Sequence, residues 1–264
     1  MNETIGVIGA GRMGLPIIGH LAGKGFRTWA TDLDVGKKAQ VEARKAHWAP
    51  SLAALAGQCS VMLVCVGFDR ELRELFAKMA PPSGAIVAVL STVNPRTVQE
   101  LANEAQARGF ELVDSTVCRG GRAADEGTLL SFVGGPAAVV ERLTPVLRAY
   151  SSDVVHSGAV GSAQVAKAAN NLVLWACLVA DHEALALASR YGVDVVMLRR
   201  ALMLSSAAND ALAKWGTQTM AWAEDDMAIV AEMAAECGLA LPQAGLNREI
   251  CRALKPRRYK LDQY

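Results

Sequence analysis

The stretch that decides the fold is "TIGVIGAGRMG", residues 4–14. An apolar, β-branched run ends at Gly9, and Gly9, Gly11 and Gly14 then stand in G-x-G-x-x-G spacing as a helical pattern begins. A strand turning straight into a helix needs a glycine at the turn and a second where the backbone approaches a ligand. A third is needed where helix and strand pack closely. The helix N-terminus beyond them offers oriented N–H groups and partial positive charge, which suits a pyrophosphate. Arg12 and Met13 fill the remaining loop positions. A second β-rich run, "RTWATD" (27–32), ends at Asp32, at the distance of about twenty residues where a carboxylate accepts from ribose hydroxyls. No arginine follows directly in "TDLDVGKK", so a 2′-phosphate would face Asp32 and be repelled. The pattern predicts NAD in preference to NADP.

Outward from this loop, short β-rich runs alternate with amphipathic stretches. "SVMLVCV" (60–66), "GAIVAVL" (84–90) and "GFELVD" (109–114) read as strands buried on both faces, with further strands near 128–133 and 152–156. Helical patterns lie between them, at roughly 13–23, 35–43, 51–57, 69–79, 95–107 and 136–148. Such alternation predicts a Rossmann-type, doubly wound parallel sheet over residues 1–157. After the Gly/Ser-rich turn "HSGAVGS" only helical periodicity remains, at about 161–190, 194–204, 207–222, 224–237 and 243–254. Residues 158–264 are therefore expected to form a smaller, all-helical domain.

Composition narrows the possible functions. Apolar residues make up 52% of the 264, charged residues 20%, and the net charge is +1. The charges divide evenly, sixteen basic against fifteen acidic up to Ser157 and eleven of each after it. No basic face is implied, so neither nucleic acid nor an anionic membrane is an expected partner. The one basic cluster, "KPRRYK" (255–260), reads as a solvated tail. Residues 46–68 lack formal charge, but Pro50, Gly57 and Ser60 interrupt them, so they read as a short helix and a buried strand. Six cysteines without a CxxC pair fit free thiols in a reducing compartment. Four scattered histidines show no metal-ligand spacing, and none of the pattern points to a metal. A cytoplasmic location is the expectation.

Two further stretches carry chemistry. "DSTVCRGGRAADEGTL" (114–129) is a polar, glycine-rich loop at a strand's C-terminal end, where open α/β sheets bind ligands. Arg119 and Arg122 offer donor forks for a carboxylate there. "QVAKAANNLVLWACLVA" (164–180) begins a helix suited to a protein interior, yet Lys167 is the only full charge between Val154 and Ala180. A buried, unpaired ammonium is costly, so such a lysine snorkels, pairs or works.

With these motifs in order, the sequence resembles the β-hydroxyacid dehydrogenases, the family of 3-hydroxyisobutyrate dehydrogenase and tartronate semialdehyde reductase. The resemblance rests on "GVIGAGRMGLPIIGHL", "STVNP" (91–95), the 114–129 loop and "GAVGSAQVAKAANN" (158–171). It implies an NAD-dependent oxidoreductase interconverting a small β-hydroxyacid and its semialdehyde. It also implies Lys167 as proton donor and acceptor, with Asn171, four residues on along the same helical face, hydrogen-bonding the substrate. By position it adds Val66 and Thr92 to the cofactor side, and Cys118, Arg119 and Gly120 to the substrate side. The family usually has Ser-Gly-Gly where Cys118, Arg119 and Gly120 stand, so Arg119 is expected to take over anion binding. The family's "KDL" lysine is replaced by Asp225. An imine reductase, or a dinucleotide-binding protein without catalysis, remains an alternative. By the same analogy a homodimer or homotetramer is expected, because the apolar helices of the second domain exceed what a small bundle covers.

Overall fold

A computed structural model describes residues 3–217, 220–255 and 259–261. The chain forms two compact units, one up to Lys167 and one from Ala168 onward.

The first unit is built on a nine-stranded sheet. Its strands are β1 (Thr4–Ile8), β2 (Arg27–Thr31), β3 (His47–Trp48), β4 (Val61–Val64), β5 (Ile86–Val89), β6 (Glu111–Asp114), β7 (Val117–Cys118), β8 (Leu129–Gly134) and β9 (Ser151–Gly158). The spatial order is β3-β2-β1-β4-β5-β6-β8-β7, with β9 also on β8. β1 sits in the middle, and the chain passes to opposite sides of it through β2 and β4, both parallel to it. The point where strand order reverses therefore lies at the C-terminal ends of β1 and β4, the place where such sheets bind ligands.

Side chains alternate across the sheet with the period of two that a strand imposes. Ile5, Val7, Val61, Leu63, Ile86 and Ala88 pack on one face, while Ile8, Met62, Val64, Val87 and Val89 pack on the other. Helices cover both faces: α1 (Gly14–Gly23), α2 (Lys38–Glu42), α3 (Leu52–Ala56), α4 (Asp69–Lys78), α5 (Pro95–Ala107), α6 (Gly120–Glu126) and α7 (Ala137–Leu147). The uncharged 46–68 stretch is thus β3, α3 and β4 inside this unit.

The sheet is mostly parallel, with one departure from the expected pattern. β8 runs antiparallel to β6 and β7. A parallel return would need a crossover helix on the sheet. The seven-residue α6 between them instead packs on α1, where His20 Nε2 lies 2.9 Å from the Ala124 carbonyl.

Helix α8 (Ser162–Arg190) is 29 residues long and begins in the first unit. The second unit holds the rest of it together with α9 (Val195–Leu202), α10 (Asp210–Ala213), α11 (Ala223–Glu236) and α12 (Pro242–Leu254). Trp175, Leu178 and Val179 of α8 form its core with Met227 and Val230 of α11 and Cys251 and Leu254 of α12. The helix expected over 207–222 is shorter among the described residues. Asn209 caps it through Leu212 N, and Gly216 at φ +85° lies beyond its end. Residues 218–219 of that stretch, and 256–258 of the basic run, lie outside the described residues.

Candidate active site

The loop after β1 has the geometry that its glycines require. Gly9 has φ +99°, and a Cβ there would stand 2.4 Å from the Cys65 carbonyl oxygen. A Cβ on Gly14 would stand 1.9 Å from Gly9 O, so α1 starts directly against the turn. Around Gly11 a Cβ would meet nothing within 4 Å, which leaves the outer side of the loop open. No acidic residue occupies the first turn of α1 to compete with an anion for its N–H groups. Asp32, just past β2, accepts from Ala10 N at 2.6 Å and from Asp34 N at 2.9 Å. One carboxylate is thus tied to the loop and to the end of the neighbouring strand. This combination fits a dinucleotide.

Arg12 is exposed and reaches out of the loop to Asp125 of α6, with Nη1 and Nη2 donating at 2.8 and 2.7 Å. That two-point pairing holds the Asp125 carboxyl below its ordinary range and raises the guanidinium. The guanidinium also lies over Gly121, where a Cβ would stand 2.5 Å from Nη2. Met13 is half-buried and immediately precedes α1.

Val66 lies two residues past the end of β4, and its carbonyl accepts from Ser91 Oγ at 2.8 Å. Thr92 follows, half-buried, in the loop after β5. Asn94 then caps α5 by accepting from Arg96 N, with Pro95 at the first helical position.

The loop after β6 leads into the residues expected on the substrate side. Cys118 is buried in β7. Arg119 is left-handed, at φ 82° and ψ 0°. Its Nη1 donates to Thr128 O, Ser152 Oγ and Asp153 Oδ2 at 3.1, 2.8 and 2.7 Å. Nη1 of the Arg119 fork expected to receive an anion is therefore engaged with the start of β9, where the arginine also lowers the Asp153 carboxyl after Ser152 does. Gly120, at φ +76°, opens α6. Arg122 is exposed and pairs with Glu126 one turn on.

Lys167 sits near the start of α8, half-buried, and its Nζ donates to Val117 O at 2.9 Å. Among the described residues no carboxylate pairs with it. The ammonium thus faces the loop that follows β6. Asn171 is 3% exposed, and its Oδ1 accepts from Asn170 Nδ2 at 3.0 Å.

Three residues that the sequence did not single out hold this helix start. Asp114, fully buried at the end of β6, accepts from Gly161 N at 2.8 Å and Gln164 N at 2.9 Å. Burial pushes its carboxyl up, against the lowering by those two N–H groups. Thr116 Oγ1 donates to Ala163 O, and the Gln164 carboxamide bonds the backbone on both sides of Thr92. A carboxylate closing a strand at the head of the glycine-rich 114–129 loop was the available signal for Asp114; nothing local marked Thr116 or Gln164. No group of three metal-ligating side chains exists among the described residues.

Comparison with known proteins identifies relatives over the whole chain. Residues 4–161 match the model of the NAD binding domain of 6-phosphogluconate dehydrogenase. Residues 161–263 match the NAD-binding domain of NADP-dependent 3-hydroxyisobutyrate dehydrogenase. A 3-hydroxyisobutyrate dehydrogenase of Pseudomonas aeruginosa is 31% identical over 79% of this chain and 72% of its own. The chain belongs to the β-hydroxyacid dehydrogenase family. Among other β-hydroxyacid dehydrogenase relatives, the NAD-dependent L-serine dehydrogenase of the same organism is 29% identical over 80% of this chain and 72% of its own. In fold, the chain is similar to Mycobacterium tuberculosis 3-hydroxyisobutyrate dehydrogenase at a TM-score of 0.89, with 22% identity over 99% of this chain and 97% of that one. As a β-hydroxyacid dehydrogenase it is an NAD(P)-binding oxidoreductase of the class acting on CH–OH groups.

Proposed function

We propose that this β-hydroxyacid dehydrogenase interconverts a small β-hydroxyacid and its semialdehyde with NAD, and that Lys167 is the acid/base. The observation that carries this is the half-buried Lys167 ammonium, without a carboxylate partner among the described residues, facing the loop after β6. A nicotinamide dinucleotide, when bound, supplies the hydride acceptor for oxidation and the donor for reduction. In oxidation, Lys167 as the free amine takes the hydroxyl proton as the carbonyl forms and becomes the ammonium. In reduction, its ammonium stabilises charge gathering on the carbonyl oxygen and then gives that oxygen a proton. Asn171, one turn further on the same face, is assigned to hold the substrate.

Asp32 supports NAD over NADP, since a 2′-phosphate on the ribose would meet its carboxylate. Binding of the substrate's carboxylate is assigned to the backbone N–H groups at Gly120 and Gly121 more than to Arg119, whose guanidinium is engaged elsewhere. The relatives act on L-serine and 3-hydroxyisobutyrate by name, both small three-carbon-backbone hydroxyacids, and these are the substrates to try first. Exposed apolar side chains on the helical unit, among them Val173, Leu187 and Leu246, support a homodimer or homotetramer. Six free cysteines support a reducing compartment.

The test is NAD reduction with these two acids and NADH oxidation with small semialdehydes, run beside Lys167→Ala. Loss of turnover by at least about 100-fold with NADH binding retained is the expected outcome. Turnover surviving in Lys167→Ala would remove the assignment.

A further inference from the structure

We infer that Gln164 is a positioning residue, a buried clamp that fixes the cofactor loop and the acid/base helix against each other. The inference rests on the reading of Lys167 above and extends it to a residue with no chemical role of its own. Gln164 is 1% exposed. Its Oε1 accepts from Val93 N at 3.0 Å, and its Nε2 donates to Ser91 O at 2.8 Å. Those two backbone groups flank Thr92, so one side chain grips the loop on both sides of the residue assigned to the cofactor.

The same residue is held from the opposite direction. Its own backbone N–H donates to Asp114 Oδ2 at 2.9 Å, beside Gly161 N on Oδ1 at 2.8 Å. Thr116 Oγ1 donates to Ala163 O at 2.9 Å. The first turn of α8 is thereby bonded to the ends of β5 and β6 together. Lys167 lies three residues on from Gln164, on the next rung of the same face, so a change in the tilt or rotation of this turn moves Nζ directly. Ser91 extends the network to the end of β4 through Val66 O at 2.8 Å.

A carboxamide suits this place because it carries an acceptor and donors on one planar group, as the paired loop groups demand. Packing without these bonds would leave the Val93 N–H and the Ser91 carbonyl buried and unpaired, and the loop would shift to reach other partners. Misplacement of a reacting group by about 1 Å lowers turnover by up to about 100-fold.

The experiment compares Gln164→Met and Thr116→Val with the parent and with Lys167→Ala. It reads NADH dissociation constants by fluorescence, kcat and KM for the hydroxyacid, and the melting temperature. Methionine keeps the buried volume and removes the hydrogen bonds. Gln164→Met is expected to lower kcat by about 100-fold and weaken NADH about tenfold, with KM for the acid nearly unchanged. Thr116→Val loosens only the helix side, so it is expected to lower kcat with NADH affinity intact. If Gln164→Met keeps both kcat and NADH affinity while Lys167→Ala is inactive, the clamp is overturned and the Lys167 assignment stands. If Lys167→Ala stays active, that assignment fails, and the clamp on the cofactor loop falls with it unless Gln164→Met still weakens NADH. A lowered melting temperature with kcat and NADH affinity intact marks a purely structural side chain and also overturns the proposal.

Discussion

Arg119 holds a backbone conformation that side chains other than glycine disfavour, and its guanidinium is bound to Thr128, Ser152 and Asp153. Replacing it by glycine removes strain of about 1 kcal/mol and an exposed ion pair of similar or smaller worth. Arg119→Gly is therefore expected to melt within a few degrees of the parent and leave KM for the acid nearly unchanged. An arginine binding substrate directly would instead raise KM by roughly tenfold or more on removal. Asp114 is a more demanding position, because alanine there leaves the N–H groups of Gly161 and Gln164 without their acceptor. Asp114→Ala should lose about 1–3 kcal/mol per unpaired group, read from the denaturant midpoint. Its raised carboxyl binds a proton more tightly folded than unfolded, so its contribution is present at low pH and is lost as pH rises from 3.8 through the folded value. Glu3 has the opposite sign. Arg142 lowers it from 4.5, so its contribution is present above that value and is lost as pH falls through the lower folded one. Arg142→Met should accordingly flatten the fall in melting temperature on the acid side of pH 4.5.

Gly134 closes β8 where β6 and the start of α8 converge. A Cβ there would stand 2.5 Å from Asp114 Oδ1, 2.7 Å from Ala159 O and 2.8 Å from Ser162 Oγ. All three of these neighbours are held by hydrogen bonds or belong to the backbone, so Gly134→Ala is expected to cost about 1–3 kcal/mol and to displace the turn that carries Gln164. Melting and kcat should fall together. Elements with a long, regular pattern were legible in the sequence: β1, α1 and β2 from the glycine spacing, and β4 and β5 from apolar runs. The two-residue β3 and β7 carry too few side chains for any periodicity to register. α6 is only seven residues, about two turns, hidden in a glycine-rich stretch, and β8's reversed direction depends on where that helix packs. Lys167 was legible as one charge in an apolar helix. Gln164 was not, because its partners lie more than seventy residues away.

Across the molecule, burial separates the thiols. It pushes Cys59 and Cys65 up to about 12 and Cys251 up to about 11, while Cys237 is exposed. Since the thiolate is the reactive form, alkylation of native protein near pH 8 should label Cys237 first, and the other three only on unfolding. Mass spectrometry of the labelled peptides checks this. The family was legible from four short motifs because their chemistry fixes local spacing. The departures at Cys118, Arg119 and Asp225 were legible too, but their surroundings were not; Asp225 stands in the acidic first turn of α11, where carboxylates suit the helix dipole. The strand order has a consequence for how the chain is made. β1 precedes its neighbours in the chain and lies between them. β2 then joins one flank and β4, β5 and β6 extend the other in order of synthesis, so each newcomer meets an edge already in place. The first turn of α8 bonds to segments that follow two earlier strands, β5 and β6. That turn, which leads into Lys167, therefore has all of its partners only once both of those strands have been made.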